Sequence, residues 1–295
     1  NLSRLLASIG ANVIALDNFS TGRKENILDF NDLGIKLFEV DVSEQETTSA
    51  YFSGIDYVFH QAAVPSVPRS IAEPLLTNNS NINGTLSVLE NSRLNNVKKV
   101  VYAASSSAYG DTKVLPKTVS MIPSPLSPYA VQKLAGEMYC KTFFDNFGLR
   151  TTSLRYFNVY GPHQDPNSEY SAVIPIFIES ALADKSITIF GDGTTSRDFT
   201  YIEDVIQANL RAAISEDSDG CVVNVAYGNS FTLTELANKI IDSIGSKSAI
   251  HYAPFRKGDV RHSLADLSTT KELIGYHPTF DLSAGLSKTI EFYRS

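Results

Sequence analysis

The sequence predicts an α/β protein built on a doubly wound parallel sheet, with a small second α/β domain. Short apolar segments alternate with helix-like segments over the first 160 residues, a pattern typical of parallel strands joined by right-handed helical crossovers. Polar residues such as Asp17, Asp41 and Ser105 follow the apolar segments, and ligand sites of such sheets lie outside the carboxyl ends of strands. The 295 residues, 43% of them hydrophobic, are enough to bury a large core.

Each element is predicted from its apolar pattern and from the residues at its ends. Residues 1–10 form an amphipathic helix that Gly10 closes. Long helices are expected at 77–95 and from Ser127 onwards, because Ser127 is a suitable N-cap and Pro128 suits the first helical position. The expected strands are 13–16, 36–40, 57–60, 99–104, 151–155, 188–190 and 222–225. The expected later helices are 172–184, 202–215, 233–244 and two more before the C-terminus.

Loops become frequent after Asn158, which indicates a change of domain. Residues 1–160 are predicted to form the first domain, and 202–228 are expected to return to it through a helix and a strand. Residues 161–295 form most of the second domain. Because that domain is assembled from separate pieces of the chain, we expect no single linker between the two.

One element of a dinucleotide-binding sheet is missing from the sequence. Such a fold begins with a strand and a glycine-rich turn whose N–H groups hold the pyrophosphate, and no such motif occurs in these 295 residues. The acidic residue expected about 20 residues after that turn is Asp17. We therefore expect the first strand and the glycine loop to precede residue 1, so that the chain is an N-terminally truncated fragment. Without that loop it would bind a dinucleotide poorly and be inactive.

Tyr129 and Lys133 are the first candidates for catalysis. They are four residues apart in a predicted helix and therefore lie on one face of it. An ammonium group near a phenol favours the phenolate and lowers the tyrosine pKa towards the range of a general base. The hydroxyl of Ser105, at the end of a predicted strand, is suited to hydrogen-bond the oxygen that such a base deprotonates.

A second pair with the same spacing, Tyr109 and Lys113, is interpreted as a chance match. Gly110 and Asp111 lie between its two members and indicate a turn directly after a strand. A helix is not expected there, so Tyr109 and Lys113 would not share a helix face.

The segment Ser105-Ser-Ser-Ala-Tyr-Gly110, followed by Tyr129-xxx-Lys133, resembles the extended short-chain dehydrogenase/reductase family of nucleotide-sugar enzymes. The resemblance covers the whole chain and is closest to UDP-N-acetylglucosamine 4-epimerases. It implies a Rossmann-type sheet, NAD as cofactor and C4 epimerisation of a UDP-hexose through a 4-keto sugar. It makes Ser105 the catalytic hydroxyl, supported by Ser106, and Tyr129 the base. Lys133 would orient the nicotinamide ribose.

The resemblance also implies a cofactor site at the strand ends. A carboxylate at Asp17 would accept hydrogen bonds from the adenosine ribose and repel a 2′-phosphate, which favours NAD over NADP. The nearby Arg23 weakens that preference. Asp41 and Val42 would lie beside the adenine. The implied cofactor residues are Asp17, Asn18, Ser20, Thr21, Gly22, Asp41, Val42, Gln61, Ala62, Ala63, Asn78, Tyr129, Lys133 and Tyr156.

A UDP-sugar needs cations for its diphosphate, and guanidinium groups offer bidentate donors. By the resemblance, Arg197 and Arg256 bind the diphosphate, Asp259 accepts from the uridine ribose and Asn158 donates to the diphosphate. The implied substrate residues are Ser66, Ser107, Asn158, Ala172, Val173, Arg197, Arg256, Asp259 and Ser263.

Two positions bear on the identity of the sugar. Ser263 stands where epimerases restricted to glucose and galactose carry a bulky tyrosine, so a small residue there leaves room for an N-acetyl group. Pro65 stands where the closest relatives have glycine, so the backbone of that loop is expected to contact the sugar differently.

Four other functions are alternatives to this one. Dehydratases and decarboxylases of this family place a carboxylate where this chain has Ser106, Ser107 and Ala108, which disfavours both. A UDP-uronate 4-epimerase remains open, because Ser66 and Arg69 are suited to a C6 carboxylate. A non-catalytic NAD-binding regulator on the same fold is disfavoured because the serine, tyrosine and lysine are all retained.

The composition and charge of the chain limit the classes of partner and the cellular setting that we expect. A net charge of −7 argues against a nucleic acid or an anionic membrane. Two cysteines indicate a reduced, cytoplasmic setting, and the five histidines lack metal-ligand spacing, so no metal is predicted. No apolar run is long enough for a membrane span and no signal peptide is visible. Apolar residues on more than one face of the helices at 77–95 and 129–147 predict a homodimer through a four-helix bundle.

Overall fold

The computed structural model describes residues 1–166, 172–255 and 260–294, and they form two compact units. Unit 1 consists of Asn1–Ala108, Ser127–Leu154 and Asn209–Val222, and unit 2 consists of Tyr109–Leu126, Arg155–Ala208 and Val223–Ser295. This division differs from a boundary at residue 160. Residues 109–126, 155–160, 202–208 and 223–228, which were expected in the first domain, belong to unit 2.

Strands and helices alternate along the chain as the apolar pattern predicts. The strands are β1 (Ile14–Asp17), β2 (Lys36–Glu39), β3 (Tyr57–His60), β4 (Lys99–Ser105), β5 (Thr151–Tyr156), β6 (Val159–Tyr160), β7 (Ile187–Phe190), β8 (Ser196–Arg197), β9 (Thr200–Tyr201), β10 (Cys221–Val225), β11 (Phe231–Thr232) and β12 (Ile250–Ala253). The helices are α1 (Leu2–Ser8), α2 (Gln45–Thr48), α3 (Val67–Ala72), α4 (Pro74–Asn78), α5 (Gly84–Leu94), α6 (Pro128–Phe147), α7 (Val173–Leu182), α8 (Ile202–Ile214), α9 (Leu233–Ile244), α10 (Ser268–Ile274) and α11 (Leu282–Arg294).

Unit 1 is organised around parallel strands, which confirms the predicted fold class. β1 pairs with β2 in parallel, and β3 pairs with β4 in parallel. The second sheet has the strand order β10-β5-β4-β3, and β5 and β10 each contribute residues to both units. β4 lies inside this sheet and six of its seven residues are buried, which explains why its sequence is a nearly continuous apolar run.

Helix α6 begins and ends where its sequence predicts. The Ser127 hydroxyl accepts a hydrogen bond from Ala130 N, Pro128 occupies the first helical position, and Gly148 follows the helix with a φ of +69°. The predicted long helix at 77–95 is interrupted. A turn of π-helix over Asn79–Asn83 separates α4 from α5, and this segment provides side chains to the site described below.

Unit 2 contains short strand pairs, and three of its helices share one apolar core. β7 pairs with β12 in parallel, β6 with β9 in parallel, and β8 with β11 in antiparallel orientation. The core is formed by apolar residues of α7, α9 and α11 together with β7 and the aromatic rings of Tyr160 and Tyr201. α9 begins with a capping box in which Thr232 and Glu235 bond each other's backbone N–H. The two-residue strands were not predicted, because segments so short carry no periodic signal.

Among the described residues, no helix combines the length and the apolar character needed to cross a membrane.

Candidate active site

The end of β4 brings hydroxyl groups together in unit 1. Ser105 is the last residue of β4, and the chain then makes a 3-10 turn over Ser106–Tyr109. The Ser107 hydroxyl donates to Ser105 Oγ at 2.9 Å, and Ser105 is hydrogen-bonded to the Tyr129 hydroxyl. Ser106 lies in the same turn and is half-buried. Ser105 and Tyr129, predicted as catalytic partners, are therefore in contact.

Tyr129 is held in the first turn of α6, where the backbone N–H groups have no partner within the helix. Its own N–H donates to the Ser70 hydroxyl at 3.0 Å, while Ser127 caps the following residue. Ser70 is fully buried and donates in turn to Val67 O at 2.7 Å. The start of α6 is thus fixed from two sides, which restricts the position of the phenol.

Lys133 lies one helical turn after Tyr129, and its side chain is buried. Its Nζ donates to Ala103 O at 2.9 Å and lies 5.1 Å from the centroid of the Tyr102 ring. Burial lowers the pKa of Lys133 to about 8. A carbonyl oxygen and an aromatic face both favour the protonated amine, so the site is suited to hold a cation that changes its charge near neutral pH.

The expected effect of Lys133 on Tyr129 is not seen with the protein groups alone. Burial raises the pKa of Tyr129 above its ordinary value, and the Ser105 hydroxyl opposes that shift. The ammonium group of Lys133 is engaged with Ala103 O and the Tyr102 ring. The protein groups alone therefore do not produce the expected net lowering of the Tyr129 pKa.

The ends of β1 and β2 place polar groups together at another part of unit 1. Asn18 Nδ2 donates to Asp41 Oδ2 at 2.9 Å, and Asn18 Oδ1 accepts from Ser20 N at 3.0 Å. Burial raises the pKa of Asp41, but hydrogen bonds from Ser43 and Asn18 outweigh it, so that this pKa lies below its ordinary value. Asp41 is therefore held as a carboxylate, one of the groups predicted beside the adenine.

These residues fit the adenosine part of a dinucleotide. Asp17 is exposed at the end of β1, and its Oδ1 accepts from Phe19 N at 2.7 Å, which leaves Oδ2 to accept from a ribose hydroxyl. A Cβ atom added to Gly22 would lie 3.2 Å from Asp17 Oδ2, so a side chain at this position would crowd the carboxylate. Thr21 is exposed beside Gly22, and Val42 packs partly into the core of unit 1.

The loop after β3 is fixed by two buried amide side chains that the sequence analysis missed. Asn81 lies in the π-helical turn, and its Oδ1 accepts from Val64 N at 2.7 Å while its Nδ2 donates to Val64 O at 3.2 Å. Asn81 Nδ2 also donates to Gln132 Oε1 at 2.8 Å. Asn81 therefore ties the loop of Ala62 and Ala63 to α6, next to Lys133.

A sequence signal for this contact existed but was ambiguous. Residues 78–83 contain four asparagines, and asparagine is uncommon inside helices because its side chain competes for backbone groups. Asn78 was chosen from this run as the cofactor residue. It is half-buried at the end of α4, and its role stays a prediction. Gln61, also predicted to contact the cofactor, donates to Asn209 Oδ1 at 3.1 Å.

Ser66 and Arg69, the residues considered for a C6 carboxylate, have local partners in α3. The Ser66 hydroxyl accepts from Arg69 N at 3.0 Å and caps the helix. The Arg69 guanidinium forms an ion pair with Glu73 at 3.1 Å, one turn further along. The Arg69 guanidinium is therefore already paired with a carboxylate.

Unit 2 contains a cavity of about 260 Å³. It is lined by four predicted substrate residues, which are Asn158, Ala172, Val173 and Arg197. Aromatic rings and a second arginine complete the lining in residues that were not predicted, among them Phe190, Phe199, Phe255 and Arg261. The Arg261 guanidinium lies 3.6 Å from the centroid of the Phe255 ring. A cavity with flat apolar walls and guanidinium groups is suited to a planar, anionic ligand.

A hydrogen-bond network connects the polar residues of this cavity. Asn158 has a φ of +35°, and its Nδ2 donates to Ser263 Oγ at 3.2 Å and to Asp198 O at 3.0 Å. Arg197 Nη1 donates to Ser196 O at 3.0 Å and Arg261 O at 3.1 Å. Ser263 is buried, with an exposed fraction of 9%, so its side chain presents little solvent-accessible surface.

Two of the predicted substrate residues, Arg256 and Asp259, lie outside the described residues. Tyr156, a predicted cofactor residue, is half-buried at the end of β5 and belongs to unit 2. Within residues 1–166, 172–255 and 260–294, no group of three or more His, Cys, Asp or Glu side chains is arranged to hold a metal ion.

Comparison with known proteins identifies the family. A model of the NAD dependent epimerase/dehydratase family matches residues 1–226. The UDP-glucose 4-epimerase of Mycolicibacterium smegmatis is 36% identical to this chain, over 100% of this chain and 94% of the relative. The solved UDP-glucose 4-epimerase of Thermotoga maritima has a TM-score of 0.94 and 37% identity, covering 99% of this chain and 94% of that chain.

The solved UDP-N-acetylglucosamine 4-epimerase of Methanobrevibacter ruminantium has a TM-score of 0.93 and 38% identity, with the same coverage of 99% and 94%. Other relatives, at 32% and 28% identity, are a UDP-glucuronate 4-epimerase and a UDP-N-acetyl-glucosaminuronate decarboxylase. The match of the family model and the identity over the whole chain agree with the serine at the end of β4 and the tyrosine and lysine on α6. This chain therefore belongs to the NAD dependent epimerase/dehydratase family of enzymes, and its cofactor is NAD.

Proposed function

We propose that the protein is a UDP-sugar 4-epimerase that interconverts UDP-N-acetylglucosamine and UDP-N-acetylgalactosamine, and also UDP-glucose and UDP-galactose. The observation that carries the proposal is the contact of the Tyr129 hydroxyl with Ser105, one helical turn before the buried Lys133. These groups supply a proton acceptor, a hydroxyl donor and a cation in one place. The 4-epimerases among the similar proteins support the same reaction.

In the proposed mechanism Tyr129 removes the proton from the sugar O4 and later returns it. Ser107 donates to Ser105, so the proton of Ser105 is free to be donated towards the Tyr129 oxygen or the sugar oxygen. Because burial raises the pKa of Tyr129, the phenolate needs a further positive charge nearby to form at neutral pH. NAD, when bound, supplies the hydride acceptor for C4 and the hydride that returns to the opposite face.

We assign the nucleotide to the cavity of unit 2. Its guanidinium groups, Arg197 and Arg261, suit a diphosphate, and the ring of Phe190 suits the flat face of uracil. Asn158 lines the same cavity. The roles of Arg256 and Asp259 in binding diphosphate and ribose remain predictions from the family resemblance.

The N-acetylated sugars are proposed because residue 263 is small. Ser263, hydrogen-bonded to Asn158, has a much smaller side chain than a tyrosine, so we expect it to leave room for the acetyl group. Forcing a bulky group into a filled pocket typically costs about 1–3 kcal/mol, so the size of this residue is expected to decide between acetylated and plain sugars.

A UDP-uronate is the second candidate, and the ion pair of Arg69 with Glu73 counts against it. Arg69 is the cation that would meet a C6 carboxylate in the loop before α3, and it is already paired at 3.1 Å. A uronate would have to displace Glu73 or lie close to it, and like charges repel at such distances. Relatives that act on UDP-uronates keep this alternative within the test below.

We also propose a homodimer formed through α5 and α6 of unit 1. Leu89 and Phe143 are buried, whereas Val131 and Met138 on α6 have exposed fractions of 50% and 59%. Val131 and Met138 are seven residues apart and share one helix face, which leaves an apolar stripe for a second copy. Light scattering at micromolar concentration should give the mass of a dimer, and a monomer mass would contradict the proposal. The cytoplasmic location stays a prediction.

A coupled assay tests the substrate assignment. The full-length enzyme and NAD are supplied with UDP-N-acetylglucosamine, UDP-glucose or UDP-glucuronate, and kcat/KM is measured for each. Ser263→Tyr should lower kcat/KM on the acetylated sugars at least about tenfold, equivalent to about 1.4 kcal/mol, and retain activity on UDP-glucose.

Ser263→Ala is the matched control, because it removes the hydroxyl and keeps the space. It should change the two sugar classes by the same factor. If Ser263→Tyr also lowers both classes equally, residue 263 does not select the sugar. Preferred turnover of UDP-glucuronate by the unaltered enzyme would replace the assignment by that of a uronate epimerase.

A further inference from the structure

Asp198 is a fully buried carboxylate between two residues that line the nucleotide cavity. Arg197 precedes it and Phe199 follows it, and both contribute to the cavity wall. Asp198 itself has an exposed fraction of 0%. A buried carboxylate is costly unless it is hydrogen-bonded, so its partners indicate what it is held there to do.

The Asp198 carboxylate accepts hydrogen bonds from the backbone of two distant segments of unit 2. Tyr227 N donates to Oδ1 at 3.0 Å, and Gly228 N donates to Oδ1 and Oδ2 at 3.1 and 3.2 Å. Ala265 N donates to Oδ2 at 3.1 Å. These bonds tie the segment after β10 and the segment after Ser263 to the chain at Asp198.

The backbone of Asp198 also forms hydrogen bonds with distant segments of unit 2. Its N–H donates to Ser263 Oγ at 3.3 Å, and its carbonyl oxygen accepts from Asn158 Nδ2 at 3.0 Å. Asn158 has a left-handed backbone conformation, with a φ of +35°, which persists only where the surroundings hold it. The bond to Asp198 O is one of the contacts that hold the Asn158 side chain.

We propose that Asp198 is a positioning residue for the nucleoside diphosphate. It fixes Arg197, Asn158 and the segment that begins at Ser263 relative to one another, so that the guanidinium and the amide meet the diphosphate in a set geometry. This inference rests on the proposed function in one respect, namely that the cavity of unit 2 binds UDP. Preorganised donors lose less entropy on binding, which is how a residue that does not touch the ligand raises its affinity.

Electrostatics and positioning predict opposite results when the charge is removed. A carboxylate next to Arg197 weakens the attraction of the cavity for an anion, so replacing it by a neutral amide should tighten UDP binding if charge alone mattered. Positioning predicts weaker binding, because an asparagine presents an NH₂ group to at least one backbone N–H and breaks that bond. The sign of the change therefore separates the two explanations.

Asp204 provides a matched control in the same unit. It has an exposed fraction of 1% and accepts from Thr279 N at 2.8 Å, Thr279 Oγ1 at 2.9 Å and Phe280 N at 3.1 Å. It does not line the cavity. Asp204→Asn therefore damages a buried cluster of carboxylate and backbone amides of the same kind without touching the nucleotide site.

The experiment is calorimetric titration of UDP into the unaltered protein, Asp198→Asn and Asp204→Asn at pH 8. This pH is chosen because burial raises the pKa of Asp198 to about 7, so the carboxyl is largely ionised there. We expect Kd for UDP to rise at least tenfold in Asp198→Asn and to change less than threefold in Asp204→Asn. Thermal unfolding, measured in parallel, should be lowered in both variants.

Each other outcome contradicts either the positioning role of Asp198 or the proposed nucleotide site. Unchanged or tighter UDP binding by Asp198→Asn overturns the positioning role alone, and so does an equal loss in Asp204→Asn. Failure of the unaltered protein to bind UDP overturns the proposed nucleotide site and the role of Asp198 with it. If Asp198→Asn does not fold, Ser263→Ala removes the bond from Asp198 N and should still raise Kd for UDP about threefold, whereas an unchanged Kd would overturn the proposal.

Discussion

The proposed catalytic cluster of unit 1 and the proposed nucleotide cavity of unit 2 are built in different ways. Tyr129 and Lys133 share one face of a helix of 20 residues, and Ser105 ends a strand of seven. In unit 2, Arg197 lies on a strand of only two residues. Asn158 directly precedes another two-residue strand and has a left-handed backbone. Their positions depend on long-range hydrogen bonds such as those of Asp198.

Because of this difference, the two sites should respond differently to substitutions. A side chain on a long helix keeps its place when a neighbour is changed, because the helix itself is held by many residues. A side chain in a loop depends on a few individual bonds, each typically worth about 0.5–1.5 kcal/mol. We therefore expect changes in unit 1 to remove chemistry without affecting nucleotide binding, and changes in unit 2 to do the reverse.

The largest expected effect is that of Tyr129→Phe. Loss of a general base typically lowers the rate by about 10²- to 10⁴-fold, and the ring of phenylalanine preserves the packing of α6. We expect kcat for C4 epimerisation to fall at least 100-fold, while Kd for UDP, measured by calorimetry, changes less than about twofold.

Tyr109→Phe is the matched control for this change. Tyr109 is buried in unit 2, with an exposed fraction of 2%, and its hydroxyl donates to Asn224 Oδ1 at 2.6 Å. Losing that bond should lower stability and leave kcat within about threefold of the unaltered enzyme, since a typical bond contributes about 1 kcal/mol to folding only. A Tyr129→Phe enzyme that keeps more than about a tenth of the rate would show that Tyr129 is not the base.

A smaller, opposite effect is expected from Arg197→Gln in unit 2. Hydrogen bonds to charged groups contribute about 1.5–3 kcal/mol, so Kd for UDP should rise about 10- to 100-fold. At saturating UDP-sugar, kcat should fall less than about threefold, because the proton and hydride chemistry is assigned to unit 1.

Arg294→Gln controls for the loss of a guanidinium group. Arg294 ends α11, and its Nη2 donates to Ile244 O at 3.2 Å on an exposed part of unit 2. Its replacement should leave Kd for UDP unchanged. An Arg197→Gln enzyme that loses kcat as strongly as Tyr129→Phe would contradict the division of labour between the two regions.

The same contrast explains what the sequence could and could not predict. The helix over Pro128–Phe147 and the strands over Tyr57–His60 and Lys99–Ser105 were found within about one residue of their ends, because apolar periodicity and caps are local signals. The contact between Ser105 and Tyr129 followed from those elements and the family resemblance. Most of the fold of unit 1 was predictable for this reason.

The cavity of unit 2 was only partly predictable. Arg197 and Asn158 were predicted through the resemblance, whereas Arg261 and Phe255 were not predicted as site residues. Nothing in the local sequence indicates that a guanidinium will stack on a ring six positions earlier in the chain. Asn81 was missed in unit 1 for a related reason, since only its contact with Val64 distinguishes it from its asparagine neighbours.

The two regions also differ in how acid affects them. His60 in unit 1 is 4% exposed, and burial, together with the charge of Lys133, lowers its pKa from 6.5 to about 3. Because the unfolded chain then binds a proton that the folded state does not, this stabilisation is complete above pH 6.5 and is lost as the pH falls towards 3. Asp198 in unit 2 has its pKa raised by burial from 3.8 to about 7, so its contribution is complete below pH 3.8 and is lost as the pH rises through 7.

The smallest expected effect follows from His60 and sharpens this contrast. One pH unit below 6.5, at pH 5.5, the folded state should lose about 1.4 kcal/mol of stability through His60 relative to pH 7.5. His60→Gln keeps a partner for Thr85 Oγ1, which lies 2.9 Å from His60 Nε2, and removes the titrating group. Urea unfolding monitored by hydrogen exchange in peptides of β3 and β4, corrected for intrinsic rates, should then show a loss of stability in acid that is smaller by about that amount.

His277→Gln, at an exposed histidine of unit 2, is the matched control and should leave the loss of stability of β3 and β4 in acid unchanged. Equal acid sensitivity of His60→Gln and the unaltered protein would mean that His60 is protonated in the folded state and that the acid response of unit 1 has another origin.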